Sequence, residues 1–445
     1  MPEKIIIGRT KSDKKKLGDR GSVFLGRHYV KMGETVSLST DLYLDMARPH
    51  VVLVCGKRGS GKSYTLGVIS EAMSKLPEEI SENLSILIFD TMGIFWTMKY
   101  PNWKEEDLLR GWNQKPGELN NIDVYTPAGY VNQQKESGIP IDYSFSMKTS
   151  ELHAGDWCNA FGVDLIDPIG VLIEKVITEL EEIGKDYDIE DIIKKISVEK
   201  KVDEKTKNAT ENRFIAARGW GIFSKSGTKM KDIIKPGRVS VLDISCYTKI
   251  SGSWGIKSLV TGLLSRKLLT ERMARRKIEE IRAIGSGKSY FGFEQSVETD
   301  KMPLVWIMID EAHEFLPKVG KTAASDALIQ LLREGRQPGI SMILATQQPG
   351  EIHKDVITQS DIVLSHRITA KKDVDALNDM MQTYLLSDIQ KYINNLPRLK
   401  GSAIILDDNS ERIYPMQMRP RTTWHGGEAP IAVPLKKKGL LDLGL

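Results

Sequence analysis

Gly56-Lys57-Arg58-Gly59-Ser60-Gly61-Lys62-Ser63 is a glycine, four residues and then Gly-Lys-Ser, and its flanks decide what it means. Before it, Val51-Val52-Leu53-Val54-Cys55 is a run of five apolar residues, the pattern of a buried strand. After it, Tyr64 to Lys75 carries Leu66, Ile69 and Met73 along one helical face. A strand, a glycine loop and a helix N-terminus together form a phosphate cradle, because loop N–H groups and the positive end of the helix dipole converge on the anion. In that frame Gly56 to Tyr64 form the nucleotide-binding loop, Lys62 reaches the β- and γ-phosphates, and the Ser63 hydroxyl holds Mg²⁺. The expected ligand is a nucleoside triphosphate, taken to be ATP although the loop does not read the base.

The same letters recur without the context. Gly285-Ser286-Gly287-Lys288-Ser289 repeats the end of the motif, but Arg282 stands where the first glycine is required. Lys277 to Ile284 reads as the tail of a charged helix rather than a buried strand, so this copy is expected to be a loop that binds no phosphate.

The chain has 445 residues, enough for two or three domains or for one large core with an insertion. Hydrophobic content of 40% and charged content of 27% are ordinary for a globular protein. No apolar run approaches the ~18 residues of a membrane span, and Met1-Pro2-Glu3-Lys4-Ile5 opens no secretory leader, so no membrane partner and a cytoplasmic location are expected. Cys55, Cys158 and Cys246 lie far apart and are read as reduced and structural. A net charge of +4 permits a nucleic-acid partner without demanding one. The runs Lys14-Lys15-Lys16, Arg275-Arg276-Lys277 and Lys436-Lys437-Lys438 read first as solvated faces or tails.

Along the chain, residues 1–45 hold short β-like pieces and are expected to form a reduced N-terminal β-segment. Residues 46–145 open an α/β core, with a second strand at Ser85-Ile86-Leu87-Ile88-Phe89 ending in Asp90. Residues 146–235 turn charged and helical, the character of an inserted helical subdomain, with Ile189, Ile192, Ile193 and Ile196 as a core stripe and Lys200 to Lys207 as a solvated connection. Residues 236–420 resume the core with strands at Arg238 to Asp243, Leu304 to Ile309, Ser341 to Ala345, Asp361 to Leu364 and Ala403 to Leu406, and residues 421–445 read as a tail. Continuous apolar strands alternating with helices indicate a mostly parallel sheet covered on both faces. The fold class is therefore α/β, a RecA-like phosphate-loop motor core.

Asp310-Glu311, at the end of an apolar strand, supplies the second half of a nucleotide hydrolase. Asp310 would orient Mg²⁺ and Glu311 would polarise the attacking water. Asp310-Glu311-Ala312-His313 also spells the box of two-domain helicases, but roughly 130 residues remain after it, too few for a second motor domain. One motor domain per chain implies that a neighbouring subunit completes the site, usually with an arginine worth about 10³–10⁵ in rate. Arg336, in Arg333-Glu334-Gly335-Arg336, is the first candidate, with Arg333 and Arg367 behind it. Thr346 and Gln347, on the following strand, fit a sensor of the γ-phosphate or the water.

This order of motifs resembles the HerA/FtsK superfamily of hexameric motor ATPases, most closely its HerA-like branch. The residues that carry the resemblance are Gly56 to Ser63, Phe89-Asp90-Thr91-Met92-Gly93, Val241-Leu242-Asp243-Ile244-Ser245, Ile309 to His313, Arg333 to Arg336, and Ala345-Thr346-Gln347, spanning roughly residues 45 to 420. The resemblance implies a homohexameric ring with nucleotide between subunits and double-stranded DNA through the centre. It also implies a partner nuclease of the NurA kind for DNA end processing, or a defence effector in some bacterial relatives. Two departures are visible: the N-terminal β-segment is shorter than the family's barrel, and the strand-end motif Asp90-Thr91-Met92-Gly93-Ile94 lacks the usual glutamate after the glycine. The leading functional expectation is an ATP-driven translocase on double-stranded DNA. The alternatives are an ATPase platform that assembles and switches a nuclease or an NAD-consuming effector, and a peripheral coupling ATPase at a membrane.

Overall fold

Strands that are apolar at every position need cover on both faces, and the fold supplies it. The computed structural model describes residues 4–32, 35–249, 253–288, 302–381 and 389–428. Its strands are β1 (Ile5–Ile7), β2 (Ser22–Met32), β3 (Thr35–Asp45), β4 (Val51–Cys55), β5 (Leu84–Asp90), β6 (Ile122–Pro127), β7 (Tyr143–Phe145), β8 (Met147–Lys148), β9 (Phe223–Ser224), β10 (Val239–Asp243), β11 (Leu304–Ile309), β12 (Ile340–Thr346), β13 (Ile362–His366), β14 (Ser402–Asp407) and β15 (Arg412–Met418). Thirteen of them form one sheet in the order β1-β3-β2-β15-β14-β13-β4-β12-β11-β5-β10-β6-β7, and β8 pairs with β9 apart from it. The run from β13 to β7 is parallel throughout, whereas β14, β15, β2 and β3 continue it antiparallel. The fold is the α/β architecture with a large, mostly parallel sheet that the sequence pattern indicates.

Alternation along each strand sends residues to opposite faces. Val52, Val54, Ile86, Ile88, Trp306, Met308, Ile343 and Ala345 pack on one face with Leu66, Ile69 and Met73 of the helix Lys62–Ser74. Leu53, Leu87, Phe89, Ile307, Ile309 and Leu344 pack on the other with residues of the helical segment, including Trp157, Ile173, Val176, Ile192, Ile196 and Phe214. Each such fully buried side chain contributes about 1.5–3 kcal/mol. The isoleucine stripe therefore closes one face of the sheet, as a core and not as a binding surface.

Four elements differ from the sequence reading. The N-terminal strands are continuous with the main sheet: β2 pairs with β15, and Ile7, Val23, Leu25, Leu42 and Leu44 share the core of β4. Lys200 to Lys207 is only partly a connection, because the helix Glu204–Arg218 starts inside it, capped by Asp203. Gly285 to Lys288 is the end of a 36-residue helix, Ser253–Lys288, and not a loop; Ser289 lies outside the described residues, as does Lys436-Lys437-Lys438. On the exposed face of that helix Arg276 pairs with Glu280, one turn on.

The largest departure is at the C-terminus, where Arg421, Thr422 and Thr423 are built into the core rather than trailing from it. Glu71, fully buried on the phosphate-loop helix, accepts from Arg419 Nη1 at 3.0 Å, Thr422 N at 3.1 Å, Thr423 N at 2.9 Å and Thr423 Oγ1 at 2.5 Å. Burial alone would raise the Glu71 carboxyl, but Arg419, Arg421 and the Thr423 bonds hold it below its ordinary range. Gly67 leaves room for the Arg421 guanidinium, since a Cβ there would lie 2.4 Å from Arg421 Cζ. Residues 419–425 thus form a strap across the helix that carries Lys62 and Ser63.

Candidate nucleotide-binding site

Parallel strands deliver their following loops to one edge of a sheet, and that edge is where ligands bind in open α/β folds. The register makes the delivery level: Cys55 pairs with Thr346 on one side and Ser365 on the other, and Ile309 pairs with Leu344 and Phe89. The loop after β4 turns through Gly56, Gly59 and Gly61, at φ of 158°, 73° and 113°. A Cβ on Gly56 would lie 2.2 Å from Ser60 Oγ, so the loop closes only over a glycine. Gly61 caps the helix Lys62–Ser74 and leaves its first N–H groups pointing into the loop.

Lys62 is buried, and its Nζ reaches the Lys57 carbonyl at 3.3 Å. Burial lowers the Lys62 amine, opposed by the charges of Glu311 and Asp310. Ser63 Oγ donates to Asp310 Oδ2 at 2.5 Å, which brings the phosphate loop and the end of β11 into direct contact. Asp310 Oδ1 accepts the Glu311 N–H at 2.9 Å. Glu311 sits at φ 53°, the left-handed region that a non-glycine residue occupies at a penalty, and such outliers concentrate at functional positions. Its Oε1 accepts a hydrogen bond from Gln347 Nε2, while its buried Oε2 has no hydrogen-bond partner among the described residues. Burial, then the neighbouring Asp310, raises the Glu311 carboxyl, with Gln347, Lys62 and His313 offsetting. Thr346 Oγ1 lies 3.2 Å from His313 Nδ1 and accepts the Gln348 N–H at 3.0 Å.

Lys62, Ser63, Asp310, Glu311 and Gln347 are therefore gathered at one point, and Tyr64 lies beside them with its hydroxyl donating to Glu105 at 2.8 Å. The two leading arginines are not. Arg333 ends the helix Ser325–Glu334 and Arg336 follows it, both ahead of β12, whereas Gln347 follows its far end. Seven residues of strand separate those ends, about 20 Å at 3.3 Å per residue. Arg333 Nε is bound to Asp355 Oδ2 at 2.5 Å; the Arg336 side chain is exposed and makes no ion pair among the described residues. Arg367 stands on the near edge, where its carbonyl accepts the Lys57 N–H at 3.3 Å.

Two further groups sit along this edge. His366, at the end of β13, lies fully buried under the loop with Nε2 2.8 Å from Thr65 Oγ1. Burial, with Lys62 nearby, pushes it down to about 4, so the ring is neutral. The other is the Asp90–Asp243 pair, aligned across β5 and β10. Asp90 accepts N–H groups from Met92, Gly93, Ile94 and Phe95 at 2.8–3.2 Å, which pins the turn after β5. Burial and Asp243 push Asp90 up to about 7. A single histidine carries no spacing signal, and only the strand order brings His366 beneath the loop; Asp90 and Asp243 end strands three and four places from β4, in motifs that the sequence does offer.

The donor set fits Mg²⁺ and a polyphosphate. A hydroxyl and a carboxylate already meet at Ser63 and Asp310, and the hard oxygen pair suits Mg²⁺. The buried Ser60 Oγ and Glu311 Oε2 lack hydrogen-bond partners among the described residues, and both lie around the Lys62 amine's loop. No helix among the described residues is long and apolar enough to cross a membrane.

Comparison with known proteins agrees with this geometry. Residues 23–267, more than half of the chain, match the family described as the central domain of helicase HerA. The chain is 24% identical over 204 residues to the DNA double-strand break repair helicase HerA of Pyrococcus furiosus, covering 44% of this chain and 37% of that protein. It is 22% identical over 336 residues to the protein of the same name from Sulfurisphaera tokodaii, covering 74% of this chain and 57% of that protein. The matches thus span between about a third and three fifths of the length of these relatives. Among solved structures, VirB4 of Thermoanaerobacter pseudethanolicus shares the fold at a TM-score of 0.52 and 12% identity, over 89% of this chain and 96% of that one. With the phosphate loop, the strand-end acid pair and Gln347 in one place, the chain belongs to the HerA central-domain family of phosphate-loop ATPases.

Proposed function

We propose that this chain hydrolyses ATP to drive movement along double-stranded DNA, as a homohexameric ring. The observation that carries the hydrolase reading is the contact of Ser63 with Asp310 and of Gln347 with Glu311 beside the buried Lys62 amine. In this reading the loop N–H groups and Lys62 hold the phosphates, and Ser63 and Asp310 hold Mg²⁺, which supplies charge neutralisation on the phosphate oxygens. Glu311 accepts a proton from the attacking water, and its raised carboxyl makes it a better base than a solvated glutamate. Gln347, through its hydrogen bond to Oε1, fixes the glutamate's orientation.

The DNA part of the proposal is supported by the names of the curated relatives, DNA double-strand break repair helicases, and by the mildly basic charge. Contacts to phosphate alone suit a motor that moves on any sequence. A nuclease of the NurA kind, or a defence effector, is the proposed partner of the ring. The test is steady-state ATP hydrolysis with and without linear duplex DNA over a salt series. Stimulation that falls steeply with salt is expected. Hydrolysis indifferent to DNA at every salt concentration removes the translocase reading and leaves the effector platform.

A further inference from the structure

Beside the phosphate loop lies a cleft of about 1200 Å³, ample for a ligand larger than a polyphosphate. The strand order fixes which side it occupies. β12 and β11, with Gln347, Asp310 and Glu311, flank β4 on one side; β13, β14 and β15 lie on the other. The cleft opens on that second side, between loop residues 59–65 and the C-terminal strap. A triphosphate whose terminal phosphate sits between Lys62 and the acid pair is blocked by β12 and β11 in one direction. Its other end must lead across the helix N-terminus toward the strap.

The walls there carry apolar side chains that the fold leaves open. Leu108 is 50% exposed, Leu399 is 65% exposed and Trp424 is 38% exposed; all three line the cleft, together with Trp112. They come from three segments, Leu108 and Trp112 from one short helix and its C-terminal cap and Leu399 and Trp424 from one each, so no single surface element accounts for their convergence. Trp424 is held by its main chain: its N–H donates to the Tyr100 carbonyl at 2.7 Å, and its carbonyl accepts from Arg421 Nη2 at 2.9 Å and Thr97 Oγ1 at 3.1 Å. The strap does not need the indole as its anchor. It is coupled to the loop itself, since the Arg421 N–H donates to the Tyr64 hydroxyl at 2.6 Å, and Tyr64 directly follows Ser63.

We propose that this cleft is the nucleoside subsite, with a purine base lying against the Trp424 indole, so that strap residues 419–425 set base preference. The inference rests on the phosphate-loop reading above and names the part of the ligand which that reading leaves open. Aromatic faces suit a purine because a large flat π-surface stacks on them, worth about tenfold or more in affinity for one contact.

The experiment compares Mg²⁺-ATP with Mg²⁺-tripolyphosphate, which has the phosphates and no base, by calorimetry on the full chain. Trp424→Ala is expected to weaken ATP by about tenfold or more and tripolyphosphate by less than twofold, and Trp424→Phe to keep most of the ATP affinity. Unchanged ATP affinity in Trp424→Ala overturns the proposal. So does an equal loss for both ligands, which would make Trp424 a support of the loop and not a reader of the base. Failure of the unaltered chain to bind either ligand overturns the phosphate-loop reading, and this inference with it. That result is distinct from a selective failure at Trp424.

Discussion

The two edges of the central sheet treat charge in opposite ways. At the edge where the parallel strands end, Lys62, Ser63, Asp310, Glu311 and Gln347 crowd one point, with Ser60 Oγ and Glu311 Oε2 left short of partners. At the edge where the strands begin, opposite charges are paired within the chain, although His50 Nε2 and Asp45 Oδ2 also lack a hydrogen bond among the described residues. His50 lies between Asp361, at 2.6 Å, and Asp45, at 3.6 Å, and Arg333 is bound to Asp355. Charges paired within the chain hold a fold in place; a lysine and two acids gathered beside an anion-binding loop suit a ligand that completes them. The exposed Arg336 is the exception on the paired edge, about a strand's length from its own chain's loop. In the proposed ring, an arginine so placed would serve the phosphate loop of a neighbouring chain, the arrangement that head-to-tail contacts provide.

Variants that cross this divide carry the largest expected effects. Arg336→Ala should lower ATP turnover by about 10³-fold or more while nucleotide binding persists, and Arg333→Ala, already paired with Asp355, should change it far less. Comparable losses in the two would remove the distinction between them. Glu311→Gln should lower turnover by about 10²–10⁴-fold and leave Mg²⁺-ATP bound, as single-turnover assays with calorimetry would reveal.

Smaller effects test the frame. Glu71→Ala leaves the buried Arg419 and Arg421 without their carboxylate, and should destabilise the protein by about 3–5 kcal/mol in a denaturant titration. A loss within the range of a surface substitution would mean that the strap is not held through Glu71. At the opposite edge, burial alone would lower His50, but Asp361 and Asp45 raise it to about 9. Its folded value exceeds its unfolded one, so the stabilisation is complete below the unfolded value of about 6.5 and is lost as pH rises through about 9. Unfolding titrations at pH 6 and pH 10 should differ by on the order of 3 kcal/mol from this group. His50→Gln should flatten that difference, and an equal slope in the variant would assign it elsewhere.

The same contrast explains what could be read from the sequence. The loop edge was legible because its residues are local: Gly56 to Ser63 is contiguous, and Asp310-Glu311 and Thr346-Gln347 each end an apolar run. The buried strands β4, β5, β10, β11 and β12 were legible for the same reason. β6 and β15 mix apolar residues with Asp123, Thr126, Arg412 and Gln417, and do not stand out as continuous runs. Arg421-Thr422-Thr423 reads as the start of a polar tail because its partner, Glu71, lies about 350 residues earlier, and no local pattern reports such a pairing. His366 acquires its place beneath the loop only because β13 lies next to β4.

The most direct measurement of the central claim is ATP hydrolysis by mixed chains, Glu311→Gln with Arg336→Ala, each inactive alone. In a ring whose sites join the Glu311 edge of one chain to the Arg336 edge of the next, equal mixing makes roughly a quarter of the interfaces whole. Turnover should then rise well above that of either variant and peak near equal proportions. No recovery at any ratio, with both variants folded and binding Mg²⁺-ATP, would show that the two edges do not meet in one site.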